Sequence, residues 1–355
     1  MALHLVYLLV VTWSFSLLSY GNPQVPCYFI FGASYYDNGN NNALLTTAKA
    51  NFLPYGIDFP QGATGRFSNG RNTPDFIAEL LGFNSYIQPF LAGKDDQDIL
   101  TGVNYASGSS GIRFETGMHL GARYSMDEQL WHHLLTVSRI AEILTDRNSS
   151  AEDYLNKCLY SVAMGDNDYI NNYFNPQFYP TSKLYTPDQY GSILIEEYDL
   201  QLRTLYKLGA RKVAVIGIGP LGCAPVVVEI AVATGASCAD MVNNGLQIFN
   251  TKLVQLVNEL NRDLPDAKFI YVNAFQIYSS LFTGFKVTNA SCCEVITGTA
   301  ACVPLTKPCP DRDDHFWWDG LHPSESINRM FALRSYKTQS PLDTFPFDIS
   351  HLIQI

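Results

Sequence analysis

Three residues of this chain carry side chains that can cooperate in nucleophilic chemistry: Ser34, Asp319 and His322. Acyl transfer by a serine needs an exposed hydroxyl, an imidazole to take its proton, a carboxylate to orient that imidazole, and N–H donors for the developing oxyanion. Ser34 stands two residues past Gly32, which closes the apolar run Cys27–Gly32 (CYFIFG). A side chain there emerges where a strand ends. Asp319-Gly-Leu-His322-Pro323 places a carboxylate three residues before an imidazole, on a turn entering a helix. The carboxylate can then accept from Nδ1 while Nε2 faces outward. The plainer alternative is a helix-capping Asp319 beside a surface His322. Ser34 does not sit in a G-x-S-x-G elbow, because Tyr36 occupies the second glycine position.

Other candidates compete. His315 is a rival base, but no carboxylate stands three residues before it. His132-His133 reads as part of the surface of an amphipathic helix. Asp166 and Asp168 flank Asn167, yet carboxylates two apart seldom oppose one another as acid and base, and no calcium-loop spacing surrounds them. Gly217-Ile-Gly-Pro-Leu-Gly222 matches the dinucleotide fingerprint literally. Pro220 removes an N–H from the phosphate cradle, and the β-branched run after Pro225 predicts no helix there. A tight Gly/Pro turn is the better reading.

These residues need elements to hold them. Apolar runs predict strands at 27–32, 158–164, 211–218 and 268–272. Helical periodicity predicts helices at 73–81 (Thr73 as N-cap, Pro74 at N1), 127–145, 191–208, 239–260 and 323–333. Strands poor in polar residues alternating with helices indicate a parallel sheet covered on both faces. Ligands of such sheets lie at the carboxyl ends of the strands, which singles out 32–34, 104–111, 165–168 and 217–222.

The 355 residues are 47% hydrophobic and 16% charged, with a formal net charge of −10. Disordered and collagen-like classes are excluded. No basic cluster offers a nucleic-acid backbone a partner. No repeat or linker divides the chain, so one α/β domain over 22–355 is expected. Residues 1–21 have the layout of a secretory signal, an apolar run from Leu5 to Leu18 followed by small residues, with cleavage near Gly21. That run is too short to span a bilayer, and no later segment is a transmembrane candidate. Asn148-Ser-Ser and Asn289-Ala-Ser are N-glycosylation triplets. Eight cysteines in an oxidising compartment favour disulfides over a zinc site at 292, 293, 302 and 309. Proximity favours Cys223 with Cys238, and Cys292 or Cys293 with Cys302.

Four ordered blocks carry a family resemblance: Phe29–Asn42 (FIFGASYYDNGNNN), Asn104–Ile112 (NYASGSSGI), Gly165–Tyr169 (GDNDY) and Trp318–Glu325 (WDGLHPSE). With Gly65–Gly70 (GRFSNG) and Gly217–Cys223 (GIGPLGC), they resemble the plant GDSL esterase/lipases of the SGNH hydrolase superfamily, from about Cys27 to Leu333. The resemblance implies a three-layer α/β/α sandwich with a flavodoxin-like parallel sheet, and hydrolysis of carboxylic esters through an acyl-enzyme. It implies Ser34 as nucleophile, His322 as base, Asp319 as orienting carboxylate, and an oxyanion hole from the N–H groups of Ser34 and Gly108 and the amide of Asn167. No metal or organic cofactor is implied, and the partner is a small-molecule or lipid ester. An acyltransferase with the same triad, or a binding protein that kept the fold, are the alternatives. The chain departs from the family at Gly32-Ala33-Ser34-Tyr35, where Gly-Asp-Ser-Leu is usual, and at Ser109, where a second glycine is usual.

Overall fold

Tyr28–Gly32 forms strand β1, every residue of it buried. In this computed structural model, which describes residues 22–92, 95–234 and 238–355 (side chains 230–234 and 238–239 excepted), β1 pairs in parallel with β2 (Leu159–Ala163), β2 with β3 (Lys212–Ile216), and β3 with β4 (Lys268–Val272). Strands buried on both faces can be apolar throughout, which is why these runs lack alternation. On the outer side of β1, Val103 O, Ile30 O and Gly32 O accept from Ile30, Tyr105 and Ser107 N–H. Counting that segment, the parallel strands take the order 2-1-3-4-5 of flavodoxin-like sheets. A short antiparallel strand, Thr344–Phe345, closes the far edge. A separate pair, β5 (Val287–Ser291) and β6 (His315–Trp317), leads into the segment bearing Asp319. The α/β/α architecture expected from the sequence is the one observed.

Helices cover both faces. Met126–Asp146, Pro187–Lys207 and Cys238–Asp263 pack together, and Thr73–Leu80, Ala274–Leu281 and Glu325–Tyr336 form a second group. Strand side chains alternate between them: Phe29 and Phe31 meet His133 of the first group. Burying one phenylalanine stabilises by about 1.5–3 kcal/mol, so β1 is a firm base for the turn that carries Ser34.

Three local expectations are corrected. The Thr73–Leu80 helix is capped by Asn72, not Thr73: Asn72 Oδ1 accepts from Asp75 N–H while Asp75 accepts from Asn72 N–H. Pro225–Thr234 is a helix despite its valines; the proline occupies its first position, where no N–H is needed, and tertiary context outweighs the weak penalty on β-branched residues. His132 and His133 are buried, not surface. His133 lies among Phe29, Phe31, Tyr105 and Tyr160, and burial lowers its imidazole to about 3, so it is neutral. Residues 1–21, with the expected signal, lie outside the described residues.

The described disulfides are Cys27–Cys158, Cys292–Cys309 and Cys293–Cys302. Cys293–Cys302 is one of the expected pairings; the other two bridges were not expected. Cys223 is unbridged among the described residues, taking a contact from Asn243 Nδ2; the side chain of Cys238 lies outside them. No described helix is long and apolar enough to cross a membrane.

Candidate active site

The chain turns sharply after β1. Tyr36 and Asp37 N–H both donate to Ala33 O, at 3.0 and 2.9 Å, which throws Ser34 outward at the sheet's carboxyl edge. Gln129 holds the strand end from the opposite side, its Oε1 accepting from Gly32 N–H and its Nε2 donating to Gly32 O. Ser34 Oγ lies 2.8 Å from His322 Nε2. His322 Nδ1 lies 2.8 Å from Asp319 Oδ2 and 3.0 Å from Oδ1. Asp319 Oδ1 also accepts from the N–H groups of Leu321 and His322, fixing the turn. The helix-capping role considered for Asp319 is not the one observed: the next helix begins at Glu325 with Ser324 as its N-cap, and the bonds of Asp319 close the preceding turn and hold the imidazole. Asp319 is wholly buried, and Ser34 and His322 are nearly so.

The imidazole is boxed by aromatic rings. Phe67 lies 4.8 Å from it between centroids and Tyr35 5.4 Å. Tyr35 Oη donates to Leu321 O. These contacts leave the ring one orientation.

The expected oxyanion donors are partly committed. Ser34 N–H has no partner among the described residues. Asn167 Nδ2 donates to Ser110 O at 2.9 Å, while its Oδ1 accepts from Asn171; the second amide hydrogen is uncommitted. Gly108 differs from expectation, because its N–H donates to Asp37 Oδ2 at 2.9 Å. The next N–H, of Ser109, has no partner among the described residues. Ser109 sits at φ 65°, the left-handed region that favours glycine, and its buried Oγ has no partner among the described residues. The position reads structurally as a glycine site carrying a Cβ.

Sequence reasoning missed several residues around this centre. The asparagines 40–42, read as a polar turn, staple the loops: Asn40 Nδ2 donates to Asn104 O and Ala106 O, and Asn41 Nδ2 to Gly108 O. Asp37, whose Oδ1 accepts from Gly39 and Asn40 N–H, is raised to about 6 by burial against those stabilising bonds. The polar run directly after Ser34 was the available signal. Asp168 is buried, accepting from Ile112 and Arg113 N–H and Thr116 Oγ1; it organises the 111–116 loop. Asp166 is half-buried beside a narrow cavity of about 30 Å³ walled by Tyr35, Tyr36, Met164, Tyr278 and Phe316. Burial first, then Asp168, raises its carboxyl to about 7.

His315, the rival base, contacts Asp311 O and Cys309 Sγ on the small sheet and not Ser34. With Cys292 and Cys309 it forms a described cluster of metal-ligand type, but those two sulfurs are joined to each other. Asn148 and Asn289 are both exposed.

A Ser–His–Asp hydrogen-bond chain at the carboxyl edge of a parallel sheet is the arrangement of serine hydrolases. Residues 28–334 match the family model of the GDSL-like lipase/acylhydrolases, and the chain belongs to that family. A GDSL esterase/lipase of Arabidopsis thaliana is 48% identical over 99% of this chain and 98% of its own. A second from the same plant is 47% identical over 95% of both. Among solved structures, a phospholipase A1 from Streptomyces albidoflavus aligns with a TM-score of 0.35 and 12% identity, over 88% of this chain and 99% of that one.

Proposed function

We propose that this protein is a secreted serine esterase or lipase that hydrolyses carboxylic esters through an acyl-enzyme. The observation carrying the reading is the 2.8 Å contact from Ser34 Oγ to His322 Nε2, continued by Asp319 on Nδ1. Ser34 Oγ attacks the ester carbonyl carbon as its proton passes to Nε2. The carbonyl π pair moves onto oxygen, where Ser34 N–H and the free Asn167 amide hydrogen receive the charge. Gly108 N–H joins them only by exchanging its Asp37 partner. The tetrahedral adduct collapses, the C–O bond to the alcohol breaks, and His322 returns the proton to the leaving oxygen. Water then attacks the acyl-enzyme by the same route in reverse, releasing the acid and Ser34. Asp319 holds the tautomer and stabilises the imidazolium. Every step is proton transfer and carbonyl addition.

Secretion is supported by the N-terminal apolar run, the three bridges, and the exposed triplets at Asn148 and Asn289, which we propose as glycan acceptors. A fluorophosphonate probe tests the site. Covalent labelling of Ser34, lost in Ser34→Ala, is expected; folded protein that stays unlabelled would overturn the reading. Hydrolysis of p-nitrophenyl esters of rising chain length, with and without a competing alcohol, separates hydrolysis from acyl transfer.

A further inference from the structure

The carboxylate of Asp319 has a fourth partner that the triad alone does not account for. Tyr55 Oη donates to Asp319 Oδ2 at 2.6 Å, across 264 residues of sequence. The same Oη accepts the N–H of Cys302 at 3.1 Å, and Cys302 is bridged to Cys293. The tyrosine is wholly buried. Its ring is held edge-on by Phe52 at 5.3 Å and by Phe67 at 6.0 Å, and Phe67 is the ring that lies against His322.

We propose that Tyr55 is a positioning residue of the catalytic triad: its hydroxyl fixes the rotamer of Asp319 and withdraws charge from the oxygen that faces the imidazole. This rests on the proposed roles of Ser34, Asp319 and His322.

Asp319 Oδ1 is fastened by two backbone N–H groups, which leaves rotation of the carboxylate to be stopped at Oδ2. That oxygen meets only Tyr55 Oη and His322 Nδ1 among its described partners. A hydrogen bond to an ionised acceptor is short and stronger than a neutral one, and this one is shielded from water. Burial and the neighbouring carboxylate push the phenol well above its ordinary range, so it remains a donor at any working pH. The donor in turn is held by a backbone N–H of a disulfide loop, so its own position is set by a covalent staple. The chain of contacts runs Cys302 N–H, Tyr55, Asp319, His322, Ser34.

The electrostatic effect has a definite sign. Without the phenol, Oδ2 carries more negative charge, holds an imidazolium more tightly, and keeps the base protonated to higher pH. Among the described residues, the other titratable groups near this pair are Tyr35, whose ring lies on His322 and whose hydroxyl is tied to Leu321 O, and, beyond Tyr35, Asp166 and Tyr278. None of them hydrogen-bonds Asp319, so changing Tyr55 leaves all three in place.

Two variants at one position test this. In Tyr55→Phe, kcat should fall roughly ten-fold, the loss of one charge-assisted bond, with KM within about two-fold. The acid limb of kcat/KM should move up by roughly half a pH unit. A ring-fluorinated tyrosine at position 55 is a stronger donor and should move that limb down. A residue that only fills space would shift neither. In an Asp319→Asn background, Tyr55→Phe should cost little further, since both act through one carboxylate. Should Tyr55→Phe not fold, the fluorinated protein alone decides. An unmoved acid limb in folded, fluorophosphonate-reactive protein overturns the proposal while leaving the esterase reading intact. Absence of labelling in the unaltered protein overturns both.

Discussion

Asp37 Oδ2 accepts the N–H of Gly108 at 2.9 Å, joining the turn after Ser34 to a loop 71 residues further along the chain. The carboxylate thereby ties both sides of the proposed oxyanion region to one buried group. In Asp37→Asn the amide offers a single acceptor oxygen where the carboxylate used two. Either Gly108 N–H or the Gly39/Asn40 pair is left facing an NH2 group. Stability should fall by about 2 kcal/mol, read from the midpoint of denaturant unfolding; an unchanged midpoint would show that the loop is held elsewhere.

Ser34→Ala and His322→Ala should each abolish ester hydrolysis, with Asp319→Asn retaining a little. Triad members act as a unit, so losses of roughly 10³–10⁶ in kcat are expected. Steady-state assays check this. Near-normal turnover in His322→Ala would sink the assignment and direct attention to His315.

Ser109→Gly should stabilise the protein by about 0.5–1 kcal/mol. Glycine removes the cost of a left-handed backbone at φ 65° and a buried hydroxyl without partner, against some added entropy in the unfolded chain. Calorimetry should show a higher Tm; a lower one would mean that the hydroxyl is bound by something more.

Asp166 sets a pH dependence whose sign is opposite to that of a salt-bridged carboxylate. Its folded value, about 7, lies above the ordinary 3.8. Its contribution is therefore complete below pH 3.8 and is lost as pH rises through 7. Asp166→Asn, which mimics the protonated form, should be the more stable protein at pH 8, by about 2 kcal/mol, and no more stable at pH 4. Parallel unfolding curves at both values would refute this.

Reduction should lower activity before it unfolds the sheet. Cys293–Cys302 closes a short loop, and a bridge of that span contributes about 2–3 kcal/mol in the chain-entropy view. Cys293 N–H bonds Trp318 O, next to Asp319. Esterase loss preceding the far-UV dichroism change is expected during reductant titration; simultaneous loss would argue against local control.

Much of this was legible because it is local. The strand at 268–272 emerges at its expected bounds, since a short apolar run closed by polar residues has few other readings. Ser34, Asp319 and His322 meet as the family blocks imply. What stayed illegible is non-local. Tyr55 stands in a stretch with no periodicity, and only the fold brings its hydroxyl to a carboxylate 264 residues away. Cys27 and Cys158 immediately precede neighbouring strands, a proximity that pairing creates and spacing hides. A histidine is polar on its own and so reads as surface at 133, whereas here four aromatic rings enclose it.

Ser34 and His322 are separated by 288 residues. At roughly 5–20 residues per second of synthesis, the serine leaves the ribosome about 15–60 seconds before its base exists. On the proposed roles, the unfinished chain carries a hydroxyl with nothing to activate it. Any product broken off ahead of Trp318 is inert, however well its sheet has formed. The order of the residues along the chain thus acts as a built-in delay: the cell meets no ester-cleaving activity from a molecule until nearly all of that molecule has been made.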